Sequence, residues 1–179
     1  GSCNEEEWIE AQQIQFSYHS VKSIADSENL YFFLEFQSDE SMKNPFNGNE
    51  MYQGDAFEIV FSTNPELMRK RKHLYSSDQH IGINLSKANS VWDWRNDRNV
   101  EGAEVSALIQ GKIHQYEVKV PLSSIGVNFF ISGPSYGIEY ALDKSSKEGN
   151  RKTQFRWNSS NNEGFHKNPS MWGELIFNK

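Results

Sequence analysis

The stretch 44–62 pairs an aromatic side chain with a carboxylate. Tyr52 lies in a polar segment between Gly48 and Gly54, which predicts a ring held on a loop rather than inside the fold. Glu58 lies in a segment of alternating large apolar residues, so a strand would place it on the face opposite the core, open to solvent. A ring can stack on a pyranose while a carboxylate accepts hydroxyl protons, so the pair favours sugar recognition.

A second candidate for ring stacking is the segment 92–98, in which Trp92 and Trp94 are surrounded by Asp, Asn and Arg. In an extended chain, residues two apart face the same way, so both indoles could stack on a sugar. The alternative is that one or both fold back over a sheet as a hydrophobic cover. Glu58 also has an alternative, which is an ion pair with a Lys or Arg on a neighbouring strand.

Composition indicates one folded domain and argues against a nucleic-acid partner. The chain has 179 residues, of which 36% are hydrophobic and 13% aromatic, enough for a single core. Its net charge of −6 is opposite to what a phosphate backbone attracts. No apolar run reaches the length of a membrane span. The five histidines lack metal-ligand spacing, and no second carboxylate pairs obviously with Glu58 as a glycosidase would require.

The first residues form a polar leader, 1–7, ahead of the predicted domain. Cys3 is the only cysteine, so an internal disulfide is excluded. Its place before a run of acidic residues looks like the mature start of a bacterial lipoprotein, which predicts a lipid anchor and a location at the cell surface or outside the cell. The alternative is an arbitrary sequence boundary with no such meaning.

Short apolar segments separated by Gly, Pro and Asn turns predict about nine strands and no long helix. The segment 29–37 is apolar on both faces and is expected to be a central strand, and 105–109 with 113–120 predicts a hairpin. Trp157 and Trp172 are expected in the core. The sequence predicts an all-β fold, an antiparallel two-sheet β-sandwich of jelly-roll or immunoglobulin-like type, as a single domain over residues 8–179.

The order of several motifs resembles carbohydrate-binding module family 9, sugar-binding domains that are appended to xylanases and also occur alone in bacterial surface proteins. The resemblance runs from about residue 6 to residue 179. Its motifs are Glu7-Trp8 with Ala11, the run 29–32 before Asp39, Tyr52 with Asp55 and the run 58–61, the run 116–118 before Pro121, Asp143 with Arg151 and Trp157, and the run 168–175. The resemblance implies the same β-sandwich.

In sugar-binding members an aromatic pair clamps a terminal sugar, while a Glu, an Arg and an Asn bond its hydroxyls. The resemblance assigns Tyr52 to one clamp position, where those members carry Trp, and Glu58 to their carboxylate. Three positions depart from the pattern or match it loosely. Phe165-His166 stands where the second clamp aromatic is expected, Gly82 is nearest the expected Arg, and Asn162 or Glu163 lies near the expected Asn.

The resemblance also implies a calcium ion near the loop before Tyr52, and we expect no other cofactor. Asp39, Asn44 and Asp55 supply hard oxygen atoms of the kind that calcium takes. Polar loops have this composition without a metal too, so a loop held only by its own hydrogen bonds is the alternative.

We therefore expect a non-catalytic, monomeric binder of a mono- or oligosaccharide, or of a plant or host polysaccharide. Other functions remain open on this scaffold, because a fold does not determine a function. A haem-binding relative would hold iron with one Met and one His, for which Met51 with His80 or His166 are the candidates. A small glycoside hydrolase, a hydrolase accessory domain and a protein-interaction domain are the others.

Overall fold

The structure is a computed structural model that describes residues 8–9, 11–64, 71–128, 130–146, 150–159 and 164–177. Within these ranges the chain forms twelve strands in two antiparallel sheets, which confirms the predicted all-β sandwich. The strands are β1 Gln13–Phe16, β2 His19–Ala25, β3 Asn29–Gln37, β4 Ala56–Ser62, β5 Asp78–Asn84, β6 Val91–Asp93, β7 Arg98–Asn99, β8 Glu104–Gln110, β9 Ile113–Pro121, β10 Ser135–Ser145, β11 Arg151–Arg156 and β12 Gly173–Ile176.

The first sheet has the strand order β1-β2-β3-β9-β8. β3 lies at its centre, paired with β2 on one side and β9 on the other, as its two apolar faces predict. The predicted hairpin is also confirmed, since β8 pairs with β9 around Gly111. Gly111 has a φ of 62°, a backbone conformation that glycine adopts without steric cost.

The second sheet has the strand order β11-β10-β4-β5-β6-β7, and β12 also pairs with β10. β10 is the longest strand and contacts β4 along one edge, with β11 and β12 sharing its other edge. All seven residues of β4 are buried, which means that both faces of this strand are covered. The second sheet is therefore the middle layer of the molecule at this point.

The core between the sheets is built from aromatic and branched side chains of both layers. Phe57 and Tyr140 stack with their ring centroids 5.9 Å apart, and Phe32 meets Tyr140 edge-on at 6.3 Å. The hydroxyls of Tyr140 and Ser23 are 2.6 Å apart, so this hydrogen bond joins β10 to β2 across the core. Rings that interlock in this way fix how the two sheets face each other.

A second apolar cluster covers the outer face of the second sheet. It consists of Val60, Ala141, Phe165 and Trp172, and Leu74 packs against it. The indole N–H of Trp172 donates to the carbonyl of Phe165 at 2.8 Å, which ties this cover together. The expectation of Trp172 in a core is met here, in this outer cluster rather than between the sheets.

The start of the fold differs from the sequence prediction. β1 ends at Phe16, and Ser17, with a φ of 55°, makes the turn into β2, a strand that the sequence reading missed. The alternation of Ile14, Phe16 and Tyr18 predicts one strand that continues through Tyr18, but this residue lies at the turn with 81% of its surface exposed. The alternation of apolar residues extended by chance through a tight turn, which periodicity alone does not detect.

Three expectations fall on residues outside the described ranges. These are the leader 1–7 with Cys3, the candidate ligand residue Asn162, and residues 68–70 of the basic run 68–73, which its composition predicts to be a solvated loop or hairpin tip. Within the described part of that run, the Arg71 guanidinium pairs with the buried carboxylate of Asp78 rather than facing water alone. In the part of the chain that the structure describes, no helix has the length and apolar character needed to cross a membrane.

The hydrogen bond between Tyr140 and Ser23 predicts a measurable contribution to stability. Tyr140→Phe should lower the free energy of unfolding by about 1–2 kcal/mol, because it leaves a largely buried serine hydroxyl without its partner. In the Tyr140→Phe background, Ser23→Ala should lower the free energy of unfolding by less than it does in wild type, since it removes the hydroxyl that Tyr140→Phe leaves unpaired. Urea unfolding gives these values, and Tyr18→Phe at the exposed turn is the control. If the losses in unfolding free energy of Tyr140→Phe and Ser23→Ala are additive in the double variant, the two hydroxyls do not form a direct hydrogen bond.

Candidate functional site

A cavity of about 600 Å³ opens on the outer face of the second sheet. Its floor comes from β4, β5 and β11. Its walls come from the 3-10 helices Gly48–Gln53 and Phe165–Lys167 and from the turn that follows β6. The volume falls within the range of about 300–1,000 Å³ that small-molecule sites typically have.

Strand register brings the floor residues together, because residues directly opposite each other on antiparallel strands point to the same face. Glu58 of β4 lies opposite Gly82 of β5 and Ala141 of β10. Gly82 lies opposite Trp92, and Ala141 lies opposite Arg156. A row of outward positions thus crosses five strands with Glu58 in the middle.

Glu58 is on the predicted face of β4, but the expectation that it is open to solvent is wrong. It is 3% exposed and lies at the bottom of the cavity. Its Oε2 accepts from Nε2 of His80 at 2.8 Å, and its Oε1 accepts from Nε2 of Gln154 at 2.9 Å. Arg151 Nη1 is 3.9 Å from Oε1, so the alternative of a cross-strand ion pair is confirmed.

His80 forms its bond to Glu58 as a neutral imidazole. Burial lowers the pKa of His80 to about 3, so the ring is uncharged at neutral pH. A neutral imidazole has one N–H, and the contact with a carboxylate oxygen requires that proton on Nε2. The contact is therefore a hydrogen bond from a neutral donor rather than a salt bridge.

Asp143 forms a second layer of acid behind Glu58. It is fully buried, and its Oδ1 accepts from Nε2 of Gln154 at 2.8 Å and from Nη1 of Arg151 at 3.2 Å. Burial, reinforced by the neighbouring Glu58 carboxylate, raises the pKa of Asp143 well above its usual range. Burial also raises the pKa of Glu58. The two acids therefore hold a proton more readily than exposed carboxyl groups do.

Tyr52 lies at the rim and belongs to the same cavity as Glu58. It is 39% exposed, on the 3-10 helix Gly48–Gln53. The guanidinium carbon of Arg151 lies 5.0 Å from the centre of its ring, a cation–π contact. Arg151 thus connects the rim aromatic to the buried acids, and one face of the Tyr52 ring is already in use.

Trp94 lies flat on the sheet because Gly82 has no side chain. A Cβ at Gly82 would be only 2.2 Å from Cη2 of Trp94, far inside van der Waals contact. The Trp94 ring also contacts His80, with centroids 4.4 Å apart, and its N–H donates to the carbonyl of Asn49 at 3.2 Å. The hydrophobic-cover alternative describes Trp94, although its indole lines the cavity as well.

Trp92 is not brought into this cavity. Its ring packs over Gly48, with carbon atoms 3.6 Å from where a Cβ of that glycine would be. Its N–H donates to Oδ1 of Asn49 at 3.2 Å. Trp92 therefore supports the wall from behind, and it is absent from the described residues that line the cavity.

The two residues at the expected second clamp position have different surroundings. Phe165 is 2% exposed in the outer cluster, and the guanidinium carbon of Arg156 lies 4.7 Å above its ring. His166 lines the cavity, half-buried, and stacks on His80 with centroids 5.4 Å apart. Of this pair, His166 presents more of its ring to a ligand.

Asp39, Asn44 and Asp55 do not form one set of metal ligands in the structure. The Asp55 oxygens accept from the backbone N–H groups of Lys43 and Ser145, both at 2.6 Å. The side chain of Asn44 bonds the loop around it, and Asp39 forms an exposed pair with Lys112. Among the described residues, no group of three or more His, Cys, Asp or Glu converges on a common point.

The Met and His pair considered for haem is also not presented to the cavity. Met51 is 1% exposed and lies outside the described lining, whereas His80 and His166 both lie within it. The Nε2 atom of His80 is moreover engaged by Glu58 at 2.8 Å. The arrangement offers no Met–His axis across the cavity.

The sequence analysis missed most of the basic residues of the cavity. These are Arg95, Arg151, Arg156 and Lys167, and the polar residue Gln154 was missed with them. Gln154 and Arg156 are two apart on β11, so a period of two in that strand was the available signal. Nothing in the local sequence indicates that β11 adjoins the cavity, because β10 separates it from β4.

The contact between Trp94 and Gly82 can be tested with a double-mutant cycle. Gly82→Ala should lower the free energy of unfolding by about 1–3 kcal/mol, because the new Cβ overlaps the indole. In a Trp94→Ala background the same change should cost much less, since the obstructing ring is gone. Equal costs in the two backgrounds, measured by urea unfolding, would show that the ring does not lie on Gly82.

The surroundings of His166 predict a pH dependence of stability. Burial is the main cause that lowers its pKa from 6.5 to about 4, so as the pH falls the unfolded chain takes up a proton on this imidazole at a higher pH than the folded protein does. The stability that the neutral His166 ring contributes is therefore present above the unfolded pKa and is lost as the pH falls through the folded pKa. The unfolding free energy of wild type should therefore drop more from about pH 7 to about pH 5 than that of His166→Gln.

Urea titrations at the two pH values measure this difference, and His73→Gln, at an exposed site, is the matched control. The carboxyl groups of Glu58 and Asp143 are present in every variant, so their opposite pH dependence cancels in the comparison. The same pH dependence in wild type and His166→Gln would contradict the burial of that ring.

Comparison with known proteins places the chain in a family. The profile described as "Carbohydrate family 9 binding domain-like" matches residues 5–179. A family 9 carbohydrate binding module from Caldicellulosiruptor kristjanssonii in complex with glucose is 18% identical and has a TM-score of 0.72, covering 97% of this chain and 87% of that one. The same organism's module in complex with cellotriose is 18% identical, with a TM-score of 0.73 and coverages of 97% and 86%.

A search of curated protein sequences finds no match to this chain. The two structural neighbours share the fold, and the family profile extends over nearly every residue from the polar leader to the last strand. The chain therefore belongs to the carbohydrate family 9 binding domain-like family.

Proposed function

We propose that this protein binds a saccharide in the cavity on the second sheet and does not cleave it. The observation that carries the proposal is the combination of flat rings and hydrogen-bonding groups around one space of about 600 Å³. Tyr52, Trp94 and His166 contribute ring surfaces, and the arginines contribute donors. Pyranoses have apolar faces and hydroxyl edges, so this combination matches both.

Family membership and structural likeness support the same proposal. Two structures with this fold, both of a family 9 carbohydrate binding module from Caldicellulosiruptor kristjanssonii, were solved in complex with glucose and with cellotriose. The identity to each is 18%, so the ligand class is carried over here as a proposal, while the details of contact must come from this chain's own residues. A monosaccharide or the end of a short oligosaccharide suits the size of the cavity.

The arrangement of acids favours binding over hydrolysis. A glycosidase positions two carboxyl groups on either side of the scissile bond, roughly 5–10 Å apart. Glu58 is the only acid among the described residues that line the cavity, and Asp143 lies behind it, bonded to the same Gln154 nitrogen. Glu139, a further acid of the outer face, is fully buried and accepts backbone N–H bonds from residues 157–159.

We further propose that Glu58 acts on the ligand mainly through its neighbours. Both of its oxygens already accept hydrogen bonds, one from His80 and one from Gln154. It holds these two side chains and Arg151 at the floor, where the remaining N–H groups of Arg151 can meet hydroxyls. Because these groups all belong to the protein, binding is expected to persist in the presence of a metal chelator.

Removing the rim ring should weaken binding without unfolding the protein. Tyr52→Ala should lower the affinity for a bound saccharide about fivefold to tenfold, the loss expected for one aromatic stacking contact. The side chain is 39% exposed, so the thermal midpoint should stay nearly unchanged. A glycan array identifies the ligand first, and isothermal titration calorimetry then measures the affinity in a buffer that contains EDTA.

Tyr18→Ala is the matched control, since that ring is 81% exposed and lies at the β1–β2 turn of the other sheet. An array without any bound glycan would contradict the proposed function. Release of reducing sugar from a bound oligosaccharide would contradict the non-catalytic part alone.

A further inference from the structure

The cavity concentrates positive charge in a protein whose net charge is −6. Four of the described residues that line it are cations, namely Arg95, Arg151, Arg156 and Lys167, and Glu58 is the only anion among them. Because the chain as a whole is acidic, the four cations around this cavity are a local concentration of positive charge rather than part of an evenly basic surface. A concave site lined by one sign of charge focuses the electrostatic field and attracts the opposite sign.

The cations lie on more than one side of the space. Arg151 and Arg156 belong to β11, at one end of the second sheet, whereas Arg95 follows β6 on the far side of β4 and β5. Lys167 comes from the 3-10 helix Phe165–Lys167 and is exposed. A ligand in the cavity would therefore have positive charge on both flanks.

Several of these charges are not neutralised within the protein. Arg95 donates to the backbone carbonyls of Asp78 and Tyr75, both at 3.2 Å, and these partners carry no net charge. Among the described residues, neither Arg95 nor Lys167 forms an ion pair. Arg151 and Arg156 differ from these two, since Arg151 contacts Asp143 at 3.2 Å and Glu58 at 3.9 Å, and Arg156 donates to Oε1 of Gln154 at 2.7 Å and has a further interaction.

The acids at the floor cannot balance the whole set. Even when both are ionised, Glu58 and Asp143 supply two negative charges against the four positive charges of the lining, and burial raises the pKa of both acids. Burial is the main reason that the pKa of His166 falls to about 4, and the neighbouring His80 and the charges of Lys167, Arg156 and Arg151 lower it further.

We propose that the saccharide bound here is anionic, a sugar that carries a carboxylate, as a uronic acid does, or a sulfate ester. This inference rests on the proposed function, and it names the substrate class. A guanidinium presents its N–H groups as a planar fork that matches the two oxygens of a carboxylate or sulfate. A neutral sugar would leave Arg95 and Lys167 without a charged partner, whereas an anionic substituent beside either of them supplies one.

Titration calorimetry with matched sugars tests the inference. Glucuronate should bind at least about tenfold more tightly than glucose, and galacturonate more tightly than galactose, if a carboxylate is the preferred group. Glucose 6-sulfate is the arm that identifies a sulfate site instead, and its tighter binding would equally support an anionic sugar. The preference should shrink between about 50 mM and about 300 mM NaCl, because salt screens exposed charges.

Charge-removing variants locate the effect. Arg95→Gln and Lys167→Gln should each reduce the preference for the charged sugar several-fold, because the affinity for the charged sugar falls more than the affinity for the matched neutral sugar. Lys167 is exposed, so its variant remains informative even if Arg95→Gln impairs folding. Arg98→Gln is the matched control, since Arg98 is exposed, bonds the carbonyl of Ser124 and lies outside the described lining.

The possible failures differ from one another. Equal affinity for charged and neutral sugars would overturn this inference and leave the proposed function intact. If no sugar of either kind binds, the proposed function itself fails. If acetate or inorganic sulfate competes as strongly as the charged sugar, the cavity is a simple anion site, and the inference is overturned as well.

Discussion

The buried carboxylates of Glu58 and Asp143 impose the main constraint on this structure. An ionised carboxyl group without partners is strongly unfavourable away from water. Here Gln154 donates to both acids, His80 donates to Glu58, and Arg151 lies within 3.2 Å of Asp143. Because the donors come from β5 and β11 and the acids from β4 and β10, one network fixes the relative positions of four strands at the cavity floor.

This network can exist only because the outer face of the second sheet is covered. Phe165 and Trp172 close it on one side, and Trp94 lies over the sheet on the other. Tryptophans reach the sheet where it has glycines, as Trp94 does at Gly82. On the opposite, core-facing side of the sheet the ring of Trp157 approaches Gly173 in the same way, since a Cβ there would be 2.4 Å away. Missing side chains in the strands thus create places where large rings lie flat, and at Gly82 the ring covers the polar cavity floor.

The sequence predicted the layers of the fold better than the environment of the site. Periodicity identified the central strand β3, the β8–β9 hairpin and the face of β4 that carries Glu58. These are local properties of strands, and alternation reports them directly. The burial of Glu58 was not predictable in this way, since it depends on Gln154 and Phe165, about a hundred residues further along the chain.

The basic cavity wall illustrates the same limit. The local sequence around Arg151 and Arg156 does not show that they reach the cavity, because only the topology, with β10 as the single intervening strand, brings β11 close to β4. The sequence neighbours of Trp94 do not determine where its ring lies. The ring fits against the sheet because Gly82, on another strand, has no side chain. Neither feature has a local signature that composition or spacing could reveal.

The departure at Gly82 explains why a shared fold does not fix the ligand. In the sugar-binding pattern an arginine is expected nearest this position, in the middle of the sheet. Here Trp94 occupies the space above Gly82, so a long side chain from that strand position would collide with the indole. The arginines of this cavity come instead from β11 and from the turn after β6. The cations of this cavity therefore lie on both flanks of Glu58, around a carboxylate network that is shielded from solvent, and their position follows from this chain's own residues rather than from the fold alone.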